Sequence, residues 1–158
     1  MKYILGISVL LLISITGYSQ DKNLSDLKPY FTAIVVSDID VSIQWYEDKL
    51  GFKVRNKTEV EERGLKQANL QRADAIIELI QLKSSLSPKD ILKEKPRGTF
   101  INGYFKFGFA VSDFDQWIKH LSESKAEFHG SVVKDPVSGK KMIIIKDPDG
   151  NRIQLFEN

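Results

Sequence analysis

The sequence predicts an α+β protein: two tandem βαβββ modules forming one curved eight-stranded mixed sheet around a cavity, with both helices outside. Two observations carry this prediction. The stretches FTAIVVSDID at 31–40 and KFGFAVSDFD at 106–115 share Val-Ser-Asp at an offset of 75 positions. The stretches IELI at 77–80 and IQLF at 153–156 match at an offset of 76. Two matches at nearly one offset indicate an internal duplication.

Each module begins with an apolar strand that is followed by a helix. Apolar side chains recur at helical spacing after each strand, as Ile43, Tyr46 and Leu50 and as Phe114, Trp117 and Leu121. Gly51 stands where a helix commonly ends on a glycine. Asp38 and Asp113 precede the two helices, where a carboxylate can accept hydrogen bonds from the free N–H groups of the first turn.

Three further strands are predicted after each helix. They read FKVRNKTEV, LKQANLQ and AIIELIQL in the first module, and AEFHGSVV, KMIIIKD and RIQLFE in the second. Turn-forming stretches separate them, namely ERG in the first module and DPVSGK and DPDGN in the second. Between the modules, Ser87 and Pro88 predict the start of a short helix. This long connection is either a lid or a solvated linker.

The chain divides into five predicted regions. These are a signal peptide at 1–19, an N-terminal tail at 20–28, a first module at 29–83, an inter-module loop at 84–104 and a second module at 105–158. The leader has a basic Lys2, an apolar run and then small residues, which is typical of a secretory signal. The run is short for a membrane span of roughly 20 residues. We therefore expect a periplasmic or secreted protein without a stable membrane anchor after cleavage.

Composition excludes several function classes. The chain has no cysteine, so it has neither disulfides nor a thiolate nucleophile or metal ligand. The net charge is only +2, and no basic stripe with interleaved aromatics suggests a nucleic-acid partner. Because two modules already complete one sheet, a monomer and a homodimer both remain open.

The alternation of side chains along a strand predicts which residues face the cavity. A helix needs apolar partners, so the bulky face of each first strand should contact the helix. Pseudo-twofold symmetry then brings four equivalent positions to the cavity: Phe31, Glu78, Lys106 and Gln154. The other expected walls are small or apolar: Ala33, Ile76, Ile80, Gly108 and Phe156. Apolar walls with few polar groups are typical of a small-molecule site.

Two stretches resemble a known superfamily. VVSDIDVSIQWYEDKLGFKV at 35–54 and KDPDGNRIQLFE at 146–157 are similar to the first strand and helix and to the last hairpin of vicinal oxygen chelate proteins. That superfamily includes glyoxalase I, extradiol dioxygenases, and the bleomycin and fosfomycin resistance proteins. The resemblance covers about residues 29–157 and implies the fold, with side-by-side homodimers common in similar proteins. It implies no single reaction, because the fold hosts several chemistries.

The resemblance also implies where a metal would bind. Metal-dependent members usually carry His or Gln on the first strand of each module, seven residues before the Asp, and Glu on the last. Here those four positions are Phe31, Lys106, Glu78 and Gln154. A divalent cation needs more neutral or anionic donors than these, so we expect no metal and no other cofactor. His120 and His129 are interpreted as surface or packing residues.

Three functions follow from these expectations. The first is an exported small-molecule binding protein that needs no metal, in which Lys106 meets an anionic or aromatic ligand. The alternative is a lyase, isomerase or dioxygenase that uses Lys106 and Glu78 as an acid–base pair, or an atypical metal site. No catalytic residue is assigned. The third is an interaction module whose cavity is filled by side chains such as Phe31. Lys106 and Glu78 can equally form a structural ion pair.

Overall fold

The structure is a computed structural model that describes residues 28–96 and 98–158. The predicted signal peptide lies outside the described residues. The first module consists of β1 (Thr32–Val35), α1 (Ile39–Leu50), β2 (Lys53–Val60), β3 (Leu65–Arg72) and β4 (Ala75–Leu82), with one 3₁₀ turn at Glu61–Arg63. The strands begin and end close to where the alternating stretches predict.

The connection between the modules contains the expected short helix, α2 (Pro88–Leu92). The hydroxyl of Ser87 accepts a hydrogen bond of 3.2 Å from the backbone N–H of Lys89 and so caps this helix. The second module consists of β5 (Phe107–Val111), α3 (Phe114–Glu123), β6 (Glu127–Phe128), β7 (Val133–Lys134), β8 (Lys141–Lys146) and β9 (Arg152–Glu157).

The two long helices begin differently. The carboxylate of Asp38 accepts hydrogen bonds from the N–H groups of Asp40 (2.9 Å) and Val41 (3.0 Å), as expected of a capping residue. Gly51 ends α1 in the left-handed region at φ 66°, also as expected. Asp113 precedes α3, but it has φ 56° and its side chain makes no capping hydrogen bond. The expected carboxylate cap is wrong there, because a capping side chain needs an extended backbone to reach the first turn.

The α+β class and the two βαβββ modules are confirmed. The strands form two hydrogen-bonded sheets where the sequence predicts one of eight strands. The first sheet has the order β1-β4-β3-β2, and the second has the order β5-β9-β8-β6 with β7 also on β8. The fifth strand of the second sheet arises because the stretch AEFHGSVV divides around Gly130 into β6 and β7. In each sheet the first strand pairs in parallel with the last strand of its own module.

Apolar packing joins the two modules. The rings of Phe52 and Phe109 lie 5.8 Å apart between centroids. The ammonium of Lys49 donates to the carbonyl of Ser124, so the carboxyl ends of α1 and α3 also meet. One apolar core therefore serves both modules. Each long helix packs on the sheet of its own module, with α1 against β3 and β4 and α3 against β9.

Strand alternation is as predicted. Ile34, Val36, Leu79 and Leu155 face the helices and are buried in the core. The opposite faces of both sheets turn away from this core, and Ala33, Val35, Gly108 and Ala110 are exposed there. Of the helices in the described parts of the chain, none combines the length and apolar character needed to span a membrane.

Candidate ligand-binding site

The open face of the first sheet carries part of the predicted site. Its concavity of about 420 Å³ is called the first-module concavity, and it is lined by Tyr30, Phe31, Arg55, Asn56, Asn69, Ile76 and Glu78. Parallel pairing of β1 and β4 places Ala33 opposite Glu78 and Val35 opposite Ile80. Phe31 is 53% exposed, so in one chain it does not act as a plug.

Glu78 is held by its neighbour on β3. The amide of Gln67 donates a hydrogen bond to the Glu78 carboxylate. Among the ion pairs formed by the described residues, none joins Glu78 to Lys106. The structural ion pair that the sequence suggested is therefore not formed within this chain.

The open face of the second sheet carries the other part. Its concavity of about 380 Å³ is called the second-module concavity, and it is lined by Lys106, Phe107, Gly108, Phe109, Ala110, Gln154 and Phe156. Gln154 is only 3% exposed, and its amide lies 2.9 Å from the sulfur of Met142. A Cβ atom at Gly108 would lie 2.7 Å from the backbone oxygen of Gln154. The glycine thus lets β5 and β9 approach closely at this position.

The predicted site residues thus fall into two groups. Phe31, Ile76 and Glu78 line the first-module concavity, whereas Lys106, Gly108, Gln154 and Phe156 line the second-module concavity. Ala33 and Ile80 lie on the same face as Glu78 without being among the lining residues of that concavity. The four equivalent positions are therefore brought together two by two, and one chain presents two separate halves.

A third concavity contains residues that sequence reasoning missed. It measures about 480 Å³, lies between the segment 99–106 and the start of β9, and is called the linker groove. One of its two cations is Arg152, whose guanidinium carbon lies 4.5 Å from the ring centroid of Phe105 and 5.7 Å from that of Phe100. Lys106 lines both this groove and the second-module concavity, so the two are neighbours.

One signal could have identified Arg152. It stands two residues before Gln154 on β9, so it belongs to the same face of the strand. It is also the equivalent of Ile76 at the offset of 76 that relates the last strands. The aromatic residues Phe100 and Phe105 lie in an irregular segment, and no periodicity points to them.

The turn that carries Arg152 is anchored on Asp147. This carboxylate is 3% exposed and accepts hydrogen bonds from the N–H groups of Asp149 (3.0 Å) and Asn151 (2.8 Å). It also accepts from the Asn151 amide (2.8 Å) and from the Tyr46 hydroxyl (3.1 Å). Burial raises the pKa of Asp147 above its ordinary value, although the hydrogen bonds from Asn151 and Tyr46 act in the opposite direction. Burial, together with the charge of Asp147, raises the pKa of Tyr46.

The charge of Lys106 affects the pKa of a nearby acidic residue, Asp135. Hydrogen bonds from Ser138 hold the pKa of Asp135 below its ordinary value, and the charge of Lys106 adds a smaller effect in the same direction. Asp135 is nevertheless not within ion-pair distance of Lys106, since no salt bridge of the described residues includes it. Lys106 is exposed, so its ammonium is available to a ligand or a partner.

The fold and these concavities define a class of protein: a tandem βαβββ protein with an open, concave face on each sheet. Comparison with known families agrees with this class. The sequence model of the Glyoxalase/Bleomycin resistance protein/Dioxygenase superfamily matches residues 29–155. The chain belongs to this superfamily, and the resemblance of its strand–helix and hairpin stretches is confirmed.

Similar proteins include both uncharacterised and enzymatic relatives. The chain is 30% identical over 125 residues to the uncharacterised protein YwkD of Bacillus subtilis, covering 79% of this chain and 92% of that protein. It is 31% identical over 124 residues to the metallothiol transferase FosB of Staphylococcus epidermidis, covering 76% and 74%. The crystal structure of a glyoxalase family protein from Enterococcus faecalis superposes with a TM-score of 0.70 at 24% identity, covering 82% and 97%. That likeness shows the fold.

A divalent metal of the kind that the superfamily implies does not fit the residues at the four equivalent positions. Phe31 has no donor atom, and the ammonium of Lys106 repels a cation. The Gln154 side chain, whose amide N–H donates to Met142, offers at best one neutral oxygen, so Glu78 is the one anionic donor of the four. In the parts of the chain that the structure describes, no three His, Asp or Glu side chains converge as a metal site requires.

Proposed function

We propose that this protein is an exported, metal-independent small-molecule binding protein of the superfamily. One observation carries the proposal: the four equivalent positions hold a phenyl ring, an ammonium, a carboxylate and an amide on two concave faces. The second-module face is otherwise apolar, whereas the first-module face also carries Arg55, Asn56 and Asn69. Such faces suit an organic ligand with one polar and one apolar end. Export is supported by the leader, whose basic start and short apolar run are typical of a secretory signal.

A second copy of the chain completes the binding site in this proposal. Each open face offers half of the predicted wall and leaves apolar residues such as Phe31 and Val35 exposed. The charges are complementary, because Glu78 lies on the first-module face and Lys106 on the second-module face. A twofold dimer that pairs unlike faces brings Glu78 of one chain to Lys106 of the other, and it builds two equivalent sites.

Elemental analysis and ligand-induced thermal shifts test the proposal on one preparation. We expect no stoichiometric zinc, nickel, manganese or iron, and a higher melting temperature with at least one member of a panel of small organic molecules. Lys106→Met should change these shifts while the variant stays folded, and the surface variant Lys119→Met is the matched control. Stoichiometric metal that is lost in Glu78→Ala, or a panel without any thermal shift, would overturn the proposal.

Sedimentation velocity tests the assembly, and cell fractionation with intact mass tests the export. We expect a dimer, and a protein that is released with the periplasm or medium and has lost its leader. A stable monomer that still binds ligand would contradict the two-chain site.

An enzyme remains the second candidate, and the relation to FosB favours it. FosB is a metallothiol transferase, and the chain covers about three quarters of its length. A reaction in this protein would use Lys106 and Glu78 as acid and base across the dimer, or an atypical metal site. Loss of turnover in Glu78→Gln with unchanged ligand affinity would distinguish an enzyme from a binding protein.

A further inference from the structure

The linker groove combines a positioned cation with aromatic walls. Arg152 faces the rings of Phe105 and Phe100, and these two rings lie 6.0 Å apart between centroids. A guanidinium that lies over a ring is held by its face. Its N–H groups lie in its own plane, so they stay free to donate outward in the fork that suits a carboxylate.

The two cations at this groove have no strong partner in the chain. Neither Arg152 nor Lys106 takes part in a salt bridge among residues 28–96 and 98–158. Both line the same concavity, so their positive charges together attract an anion that enters it.

The walls of the groove indicate the rest of the ligand. Phe100, Ile101 and Phe105 are exposed large apolar residues in the segment that closes one side, and Tyr104 is 96% exposed. A cluster of exposed rings at a concavity marks a place where apolar surface is covered on binding. An organic anion with a planar ring covers it, whereas a small inorganic anion does not.

We propose that the linker groove binds the carboxylate of a small aromatic acid through Arg152 and Lys106, with its ring against Phe100 and Phe105. The inference rests on the proposed function, since Lys106 also lines the second-module concavity that adjoins this groove. It also gives the inter-module segment a role, because that segment supplies the aromatic wall.

Ligand-observed saturation-transfer NMR on the purified protein tests the inference with three probes. Benzoate has ring and charge, benzamide has the ring without the charge, and acetate has the charge without the ring. We expect benzoate to bind at least about 10-fold more tightly than either other probe, as a charge-assisted hydrogen bond contributes on that scale. Equal binding of benzoate and benzamide would overturn the inference and leave small-molecule binding intact.

Single-residue variants test where benzoate binds. Arg152→Gln should weaken benzoate binding at least about 10-fold. The benzoate affinity of Arg152→Lys should lie between those of wild type and Arg152→Gln, because an ammonium keeps the charge but lacks the planar fork. Arg63→Gln, on the distant 3₁₀ turn, should leave it unchanged. Phe105→Leu should weaken benzoate and benzamide alike. Undiminished benzoate binding by a folded Arg152→Gln variant would also overturn the inference. If no small organic molecule binds at all, the proposed function fails with it.

Discussion

The hydroxyl of Tyr46 donates a hydrogen bond of 3.1 Å to the carboxylate of Asp147, across 101 positions of the chain. Tyr46 lies in α1 of the first module, and Asp147 lies in the turn before β9 of the second. Both side chains are buried. This bond therefore joins the two modules and supports the turn that presents Arg152 to the linker groove.

Removing this hydroxyl should destabilise the fold. Tyr46→Phe keeps the ring in the core but takes one donor from a buried carboxylate, which typically costs about 1–3 kcal/mol. Urea unfolding measures the loss as a lower midpoint with an unchanged slope. Tyr30→Phe is the matched control because Tyr30 is 73% exposed, and it should be neutral. Equal stabilities of the two variants would contradict a joining role for Tyr46.

The raised pKa of Asp147 predicts a pH dependence of stability. Burial makes the folded chain hold this proton more tightly than the unfolded chain. This contribution to stability is therefore fully present below the unfolded pKa, and it is lost as pH rises through the folded pKa. The Asp147→Asn side chain cannot ionise. The stability that this variant lacks relative to wild type should therefore become smaller as pH rises through the folded pKa of Asp147. Unfolding midpoints of both proteins at a series of pH values measure this difference in stability, and a difference that does not change with pH would refute the raised pKa of Asp147.

Gly108 should not tolerate a side chain. Its Cβ would lie 2.7 Å from the Gln154 backbone oxygen, so Gly108→Ala must push β5 away from β9, at a cost of about 1–3 kcal/mol. The equivalent residue in the first module is Ala33, which is exposed, so Ala33→Ser should be neutral. Thermal unfolding compares the two. A neutral Gly108→Ala would show that the strands can separate there without cost.

The two helix starts should respond oppositely to substitution. Asp38→Ala removes an acceptor of two backbone N–H groups and should cost about 1 kcal/mol. Asp113→Gly removes no capping bond and relieves a left-handed backbone, so it should be neutral or stabilising. Chemical denaturation of both variants checks the contrast, and equal losses would mean that Asp113 caps α3 in solution.

The duplicated fold could be predicted because its signals are local. Strand alternation, helical spacing and the glycine at 51 are each visible within a few residues of sequence. Because the same patterns recur in both modules, each module supports the prediction of the other. The break at Gly130 and the left-handed Asp113 differ from the prediction, since AEFHGSVV is interpreted as one strand and Asp113 stands at the position equivalent to the capping Asp38. The packing of the two modules depends on pairs such as Phe52 and Phe109, which no local pattern connects.

The sequence predicts on which faces of the sheets the candidate residues lie, but not how those faces come together. The strand period correctly places Glu78 and Gln154 on the open faces, and pseudo-symmetry gives their partners Phe31 and Lys106. Pseudo-symmetry alone does not say whether the two faces meet within one chain or between two. The same alternation also predicts the face of Arg152, which stands two residues before Gln154 on β9. It cannot predict the positions of Phe100 and Phe105, which lie in an irregular segment.

The separation of the two halves has a consequence for mixtures of chains. If unlike faces of two copies build each site, a dimer of one Glu78→Ala chain and one Lys106→Met chain contains one doubly altered site and one unaltered site. Mixing two inactive preparations would then restore binding to about half of the sites in each hybrid dimer. Two variants that each fail to bind as homodimers would thus complement each other when they form a hybrid dimer.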